Sequence, residues 1–474
     1  MKLAPSTARQ ALAGLWALAD LPQAALSAAH LPEPAHGGSV MPSSFAVATA
    51  AQAALGAAAL AAIEIGQRRQ PAHTRQTVQV DAEAAALECC AHFTVDGRQL
   101  PAWDKLSGLY ACGADADQPG HVRIHANFAH HRDGALKLLG LPPGPQTERD
   151  AVAQALRRWR AEDFETAAAE AGLVVAAARS FDQWDAHPQG RVLAEVPPLT
   201  IDTLDAAAPA RPWPPQAGGG RPLAGLRVLE LTRILAGPVA GRTLAAYGAD
   251  VLLLNSPTLP NIEAIADTSR GKLSAHVDLK TEAGRATLRE LLAGADVFLQ
   301  SYRPGALAAL GFSAEELARL APGLVVVSLS AYGGVGPWAN KRGFDSLVQT
   351  ATGFNVAEAA AMGSAAPKAL PMQILDYSAG YLLAYGAMAA LLRQRQRGGS
   401  WHAKVSLAAV GRWLRSLGRV TPSAGVPAFE PHLQAWDSGY GRLVAPGHAA
   451  QFSVTPAAWT RPSMPPGSHP PAWP

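Results

Sequence analysis

Asp376 is the residue of this 474-residue chain that is best placed to do chemistry. It stands where an extended approach, residues 369–375, gives way to an apolar run without proline, so we predict that a helix begins there. A carboxylate at a helix start can cap the free backbone N–H groups. If Ser378 does the capping instead, Asp376 is left free to take part in a reaction.

Two turns are candidates for holding a ligand. Residues 232–238 connect a predicted strand to a predicted helix, where backbone N–H groups can bind phosphate, although a plain turn is an equal alternative. The turn lacks Gly-x-Gly-x-x-Gly and the next strand ends at Asn255 rather than at an acid, which disfavours a nicotinamide-dependent dehydrogenase. Residues 332–337 form a glycine loop directly after a predicted strand, on the side of an α/β sheet where ligands bind.

The histidines and cysteines predict no metal site. His121 and His125 alternate along a predicted strand, and no acidic residues complete a ligand set with them or with His130 and His131, so we interpret all four as structural or solvated. The three cysteines cannot make a disulfide framework or a four-ligand zinc site, which favours a reducing cytoplasm. There is no Gly-x-Ser-x-Gly motif, so serine acyl chemistry has little support.

The C-terminal half has the pattern of a parallel α/β domain. Apolar strands alternate with amphipathic helices in three strand–helix–strand units, which predicts a sheet covered on both faces. The predicted strands are 226–231, 250–254, 273–279, 296–299 and 324–329, and the predicted helices are 238–247, 281–292 and 313–320.

A smaller α+β unit precedes this domain. A predicted hairpin, 108–112 with 121–125, is followed by three predicted helices, and a Pro- and Gly-rich exposed linker ends the unit. The predicted organisation is a helical fragment at 1–104, a small α+β domain at 105–205, a linker at 206–222, a large domain at 223–420 and a C-terminal segment at 421–474.

Composition excludes several classes of partner. There are 40 basic and 37 acidic residues, a net charge of +3, and no Lys/Arg block, so nothing indicates nucleic acid. Residues 50–65 are apolar but consist mainly of alanine, too short and too weakly apolar to span a bilayer, and predict a buried helix. The N-terminal residues resemble neither a signal peptide nor an anchor, so we expect no membrane association.

A series of short motifs, in order along the chain, resembles the family III CoA-transferases, the CaiB/BaiF group that includes formyl-CoA transferase and L-carnitine dehydratase. The good match covers residues 223 to about 410. The motifs are residues 223–238, 248–251, 270–274, 277–280, 301–306, 310–312, 328–337, 342–346 and 375–380.

The resemblance implies a Rossmann-like large domain with a small α+β domain, and transfer of CoA between an acyl-CoA and a carboxylic acid. At the position of Asp376 the family has an Asp that attacks the thioester, and such a carboxylate, with an ordinary pKa of ~3.9, needs no base to activate it. The resemblance implies no permanently bound cofactor and no metal, and places acyl-CoA and acid against Leu235, Ala236, Val277, Lys280, Ser301, Tyr302, Arg303, Gly333, Gly334, Arg342, Phe344 and Asp345. Backbone N–H groups of residues 333–336 are the predicted donors to the developing oxyanion.

Departures from the family pattern keep two alternatives open. Ser256 and Ala309 stand where formyl-CoA transferases have arginines, and Leu235 replaces a glutamine, which leaves a non-catalytic CoA-binding or scaffold protein as an alternative. A racemase of 2-methylacyl-CoA is the other alternative, but Phe344 replaces the histidine base of the related racemases and cannot transfer a proton.

The N-terminal fragment resembles a degenerate second copy of the large domain. Residues 45–56 parallel residues 375–386, and Ala46 takes the place of Asp376. Because the family forms interlocked dimers, we expect either a homodimer or a pseudo-dimer within one chain.

Overall fold

The N-terminal segment is mainly helical in the computed structural model, which describes residues 5–34, 39–72, 75–215 and 220–474. Its elements are α1 (Ala8–Ala17), a 3₁₀ turn (Gln23–Ala28), β1 (Ala29–His30), α2 (Val47–Arg69), β2 (Val78–Val80), α3 (Ala82–Glu88), β3 (Thr94–Val95) and β4 (Arg98–Gln99). Helix α2 is long and apolar enough to cross a membrane, but its most apolar window is 94% buried inside the protein. The predicted buried helix is therefore confirmed.

The small unit contains a three-stranded antiparallel sheet in the order β5-β6-β7, with helices packed on it. Its elements are β5 (Gly108–Cys112), a 3₁₀ turn (Ala114–Ala116), β6 (Gly120–Ile124), α4 (Ala129–Leu138), α5 (Arg149–Leu156), α6 (Ala161–Glu170), β7 (Val175–Ala177), α7 (Phe181–Ala186) and α8 (Pro188–Leu193). Side chains such as Tyr110, Val122, Leu156 and Phe164 form its own hydrophobic core. The predicted hairpin and the three helices after it are confirmed.

The large unit supplies most of the remaining elements. In chain order they are β8 (Leu199–Asp205), β9 (Arg227–Leu231), α9 (Ala236–Ala246), β10 (Asp250–Asn255), α10 (Ile265–Thr268), β11 (Leu273–His276), α11 (Glu282–Ala293), β12 (Val297–Gln300), a 3₁₀ turn (Ala308–Leu310), α12 (Ala314–Leu320), β13 (Val325–Ser330), α13 (Asp345–Ala351), α14 (Phe354–Ala361), α15 (Ile374–Arg397), β14 (Ser400–Ser406) and α16 (Leu407–Ser416). After a 3₁₀ turn (Glu430–His432), the chain ends with β15 (Leu433–Ser438), β16 (Gly441–Pro446) and β17 (Ala450–Phe452).

The main sheet has seven strands in the order β11-β10-β9-β12-β13-β14-β8, and only the β14–β8 pair is antiparallel. Counted from β9, the six parallel strands run 3-2-1-4-5-6, the order of doubly wound nucleotide-binding folds. The expected α/β fold with a Rossmann-like parallel sheet is confirmed. Such a sheet has a switch point where the strand order reverses, here between β9 and β12, and ligands bind beyond the carboxyl ends of the strands at that point.

Two features near the predicted linker differ from expectation. Residues 199–205, which the predicted boundary leaves in the small domain, form β8 and pair with β14 at the edge of the large sheet. Part of the predicted linker, residues 216–219, lies outside the described residues. In its described part, Arg211 is partly buried and donates hydrogen bonds to the carbonyl groups of Ala295 and Pro322.

The N-terminal segment packs directly on the large unit. Helix α2 lies against α15, and both helices belong to one hydrophobic core that continues to α9 and the main sheet. The C-terminal strand β17 pairs with β2, and β16 pairs with β3. The described parts of residues 1–104 therefore contact both the large unit and the C-terminal segment.

Buried charges join these three parts. Glu88 of α3 and Asp267 both form ion pairs with Arg242 of α9, and Asp267 also pairs with Arg270 at 2.5 Å. His448 of the C-terminal segment contacts Glu88 at 3.1 Å. Removing one member of such a buried network leaves another charge uncompensated, which is strongly destabilising.

Candidate active site

A cavity of about 370 Å³ lies at the switch point of the main sheet. Its wall includes the residues that follow the carboxyl ends of β9, β12, β13 and β14, and side chains of the small unit close it from the other side. The wall is formed by Phe128, His130, His131, Val174, Arg233, Ile234, Leu235, Ala236, Leu259, Ser301, Tyr302, Arg303, Pro304, Ala306, Leu329, Ser330, Ala331, Lys341, Arg342, Gly343, Phe344, Asp376 and Leu407. This is the place where a fold of this strand order binds ligands.

The first turn of the cavity wall has a strained backbone. Ile234 has a φ of 75°, a left-handed conformation that is rare for a β-branched residue and costs roughly 1–3 kcal/mol. The backbone N–H of Arg233 donates to the Ser301 hydroxyl at 3.2 Å, which ties the turn to the next loop. Helix α9 begins at Ala236, two residues before the predicted start at Pro238. Proline is tolerated at this third position because the first N–H groups of a helix have no acceptor within it.

Asp376 lies in the first turn of α15 and lines the cavity. The helix begins at Ile374, so neither Asp376 nor Ser378 is its N-cap, and the prediction that one of them caps the helix is wrong. The capping acceptor is Asp345, whose Oδ2 accepts the Asp376 N–H at 2.9 Å and whose Oδ1 accepts from Gln349 Nε2 at 2.5 Å. Asp345, which is distant from α15 in the sequence, thus accepts a free N–H group at the start of the helix. The Asp376 side chain is left to face the cavity.

Close packing sets the position of Asp376 relative to the first turn. A Cβ at Gly380, one turn further along α15, would lie 2.7 Å from the Ala236 carbonyl oxygen and 2.8 Å from Val239. Only glycine lets α15 approach α9 this closely. The start of α15 is consequently held beside the turn that contributes Leu235 and Ala236 to the same wall.

The Asp376 carboxyl group is difficult to ionise. It is only 7% exposed, and burial followed by the negative charge of Asp345 raises its pKa well above the usual range. Burial also raises the pKa of Asp345 to about 7, although hydrogen bonds from the backbone and from Gln349 oppose this. The expectation that Asp376 ionises near its ordinary pKa is therefore wrong, because charged carboxylates are poorly solvated there and repel each other.

The same wall carries several cations. Arg233, Arg303, Lys341 and Arg342 line it, and Asp376 is the only acidic side chain among its described residues. Arg303, Lys341 and Arg342 also line a second cavity of about 560 Å³. Lys341 is partly neutralised there, since it pairs with the buried Glu165 at 2.9 Å. The shared edge of the two cavities is therefore suited to phosphate oxygens.

The structure brings together eight of the residues predicted for the site and leaves five outside the wall. Those in the wall are Leu235, Ala236, Ser301, Tyr302, Arg303, Arg342, Phe344 and Asp376. Val277 is buried in a core beside the sheet, Lys280 is exposed next to α11, and Asp345 is buried behind the wall. Gly333 and Gly334 belong to a loop held by Gln189, whose amide donates to the carbonyl groups of Tyr332 and Val335 at 2.8 Å.

Several residues of the wall were not predicted. His130 and His131, interpreted from sequence as structural or solvated, both line the cavity, and His131 is buried. No cluster of potential metal ligands occurs in the part of the chain that the structure describes. Arg233 and Ile234 lie in the turn 232–238, which was a candidate for binding a ligand, but they were not named as site residues. No sequence signal pointed to the histidines, because only tertiary packing brings α4 to the large unit.

Residues 223–434 match the family model named CoA-transferase family III. This segment is therefore similar to that family. Helices α9 and α15, the switch-point turns and Asp376 all fall within it. The resemblance to the family III CoA-transferases, which was inferred from the motifs, is therefore confirmed.

Individual relatives are similar over a larger part of the chain. An acetyl-coenzyme A transferase, nodX, of Hypoxylon pulicicidum is 30% identical over 330 residues, which are 65% of this chain and 55% of that protein. An acyl-CoA transferase of Gibberella moniliformis is 33% identical over 336 residues, 65% of this chain and 58% of that protein. The chain thus spans a little over half the length of these relatives.

Among solved structures, the hypothetical protein Rv3272 of Mycobacterium tuberculosis is 34% identical, with a TM-score of 0.38 over 42% of this chain and 57% of that one.

Proposed function

We propose that this protein is an enzyme that transfers CoA from an acyl-CoA to a carboxylic acid, with Asp376 as the nucleophile. The observation that carries the proposal is the position of Asp376: it is the one acidic side chain in the described wall of the switch-point cavity, inside the segment that matches family III. Its substrates are small molecules, and the site needs no resident cofactor. The cytoplasmic location and the dimer or pseudo-dimer expected from the sequence stay predictions.

The proposed reaction proceeds by two exchanges at Asp376. An oxygen of its carboxylate attacks the thioester carbonyl, and the CoA thiolate leaves, which gives a mixed anhydride. The thiolate then attacks the aspartyl carbonyl and releases the first acid, so that CoA is held as an aspartyl thioester. The carboxylate of the second acid attacks this thioester and expels the thiolate, which gives a second mixed anhydride. The thiolate then attacks the acyl carbonyl of that anhydride, which forms the new acyl-CoA and restores the Asp376 carboxylate.

The environment of Asp376 suits this covalent chemistry. A buried carboxylate is weakly hydrated and so more reactive once it has lost its proton, and a cavity with mostly apolar walls keeps water from the anhydride. Arg233, Arg303 and Arg342 line the cavity and supply positive charge for the CoA phosphates. The raised pKa of Asp376 makes the ionised fraction, and hence the rate of thioester attack, increase with pH.

Trapping the aspartyl thioester tests the proposal. The whole chain is incubated with an acyl-CoA and then with borohydride or hydroxylamine, and the peptide that contains Asp376 is analysed by mass spectrometry. We expect modification at Asp376, no modification and no transfer in Asp376→Asn, and normal behaviour in Asp163→Asn, which changes an exposed aspartate outside the cavity. Transfer that survives in Asp376→Asn would refute the assignment.

Two further readouts separate the alternatives. Calorimetric titration with CoA that shows tight binding, without transfer to any acid of a broad panel, would favour a non-catalytic CoA-binding protein. Wash-in of deuterium at the α-carbon of a 2-methylacyl-CoA would favour a racemase, although Phe344 in the cavity wall offers no group that transfers a proton.

A further inference from the structure

The small unit contributes a buried histidine to the cavity wall. His131, on α4, is 5% exposed, and neither of its ring nitrogens has a hydrogen-bond partner among the described residues. Buried polar groups are nearly always hydrogen bonded, so an imidazole with both nitrogens unpaired needs an explanation. Because the side chain lines a cavity, a ligand in that cavity is the simplest source of a partner.

The neighbours of His131 hold its ring without satisfying it. Its ring centre lies 5.7 Å from Phe128 and 6.3 Å from Phe344, both edge-on, and 4.1 Å from His130. Phe344 is itself stacked on His125 at 4.0 Å. These contacts restrict the orientation of the His131 ring, and a rigid donor is what a selective hydrogen bond requires.

The charge state of His131 indicates what it can recognise. Burial, and then the positive charges of His130, Arg342 and Arg233, lower its pKa to about 4. The ring is therefore neutral near pH 7, with one N–H donor and one acceptor nitrogen. A neutral imidazole pairs with an uncharged hydroxyl or carbonyl group, whereas the arginines of the same wall are suited to phosphates and carboxylates.

We propose that His131 is a specificity-determining residue that hydrogen bonds an oxygen substituent, hydroxyl or oxo, on the carbon chain of the transferred acyl group. The proposal rests on the buried His131 ring, whose two nitrogens have no hydrogen-bond partner among the described residues. This ring lies in the same cavity wall as Asp376, among apolar side chains that include Phe128, Val174 and Phe344. The inference rests on the proposed function and adds the substrate class. The preferred acid carries a hydroxyl or oxo group on its carbon chain, because an unsubstituted chain leaves the imidazole unpaired.

Matched acids test the inference in the full-length protein. With one acyl-CoA donor, kcat/KM is measured for hexanoate, 2-hydroxyhexanoate, 3-hydroxyhexanoate, 3-oxohexanoate and the dicarboxylate adipate. We expect an oxygen-substituted acid to exceed hexanoate by about ten- to a hundredfold. In His131→Phe, which suits the aromatic surroundings, the ratio of kcat/KM for the oxygen-substituted acid to kcat/KM for hexanoate should fall toward one.

Two more variants distinguish specificity from structure. His131→Gln, which can still donate a hydrogen bond, should recover part of the preference. His121→Phe, a histidine on β6 outside the cavity wall, should leave the preference unchanged. Thermal melting shows whether each variant folds.

The outcomes separate this inference from the proposed function. If no acid accepts CoA in the wild-type protein, the proposed function fails. If CoA is transferred but hexanoate or adipate is preferred, or if the preference for an oxygen substituent persists in folded His131→Phe, the assignment to His131 is overturned while the transferase remains.

Discussion

Replacing Asp345 by Asn should make Asp376 easier to ionise. The two carboxyl groups are neighbours, because Asp345 Oδ2 lies 2.9 Å from the Asp376 backbone nitrogen. The amide of Asn can still accept the N–H groups at the start of α15, but it carries no charge. Asp345→Asn therefore removes the like charge that raises the pKa of Asp376 and leaves its burial in place.

The expected size of the effect follows from the separation of the two groups. The 2.9 Å contact and the length of one Asp side chain place the two carboxyl groups at most roughly 7 Å apart, and we take a separation of about 6 Å. At an effective dielectric constant of about 20, two like charges at that distance repel by about 3 kcal/mol. That repulsion corresponds to a pKa difference of about two. The acid limb of the pH–rate profile should thus move by about two pH units toward lower pH in the variant.

The assay is the ratio of kcat/KM in the variant to kcat/KM in the wild type, measured for CoA transfer between pH 4.5 and 9. Taking the ratio cancels the ionisation of the substrates themselves. The ratio should rise as the pH falls, since Asp376 loses its proton at a lower pH in the variant. Thermal melting should show a loss of about 1–3 kcal/mol, because the new NH₂ group faces the Gln349 amide.

Asp345 and Ser346 are the first two residues of α13, so a variant of Ser346 controls for general disturbance of this helix. Ser346 is buried and its hydroxyl has no partner among the described residues, so Ser346→Ala should leave the acid limb where it is in the wild type. The reasoning is refuted if folded Asp345→Asn keeps the wild-type acid limb or shifts it toward higher pH, because the charge of Asp345 would then not act on Asp376.

Three further predictions concern stability. Burial alone would raise the pKa of Glu88, but the charge and hydrogen bond of His448, the charge of Arg242 and a backbone N–H lower it to about 2. Because this pKa is lower than in the unfolded chain, about 3 kcal/mol of stability is present above pH 4.5 and is lost as the pH falls toward 2. The free energies of unfolding of the wild type and Glu88→Gln, measured by urea denaturation, should therefore converge near pH 2. Gly380→Ala should cost about 1–3 kcal/mol by forcing α15 from α9, and an unchanged melting temperature would contradict that packing. Gln189→Leu should leave the carbonyl groups of Tyr332 and Val335 in the glycine loop unpaired and make limited proteolysis of that loop faster. An unchanged cleavage rate would show that the Gln189 hydrogen bonds do not hold the loop in place.

The main sheet was predictable because its strands are short apolar runs between amphipathic helices. Strands β9, β10, β12 and β13 begin and end within a residue or so of the predicted bounds. Strand β8 was not assigned to this sheet, because only its first residue is buried at this edge position and its place in the chain is next to the small unit. Which sheet an edge strand joins depends on packing that local pattern does not encode.

The candidate site was predictable where it depends on position after a strand or at a helix start. Asp376 and Leu235 are examples and both line the cavity, whereas Ser301, which lines it too, was indicated only by the family resemblance. The capping of α15 by Asp345 and the presence of His131 in the wall were not predictable, since each is a contact between elements far apart in the chain. The raised pKa of Asp376 follows first from its burial and then from the charge of Asp345, so the sequence pointed to the residue but not to its protonation state.

The contact between α2 and α15 sets a limit on how the protein can be divided. Residues 223–434 match the family model, yet the partner that covers α15 is supplied by an N-terminal helix. An excised fragment with the matched boundaries would expose a broad apolar helix face and leave Arg242 without Glu88. We therefore expect residues 223–434 to be less stable when they are produced without the N-terminal helices.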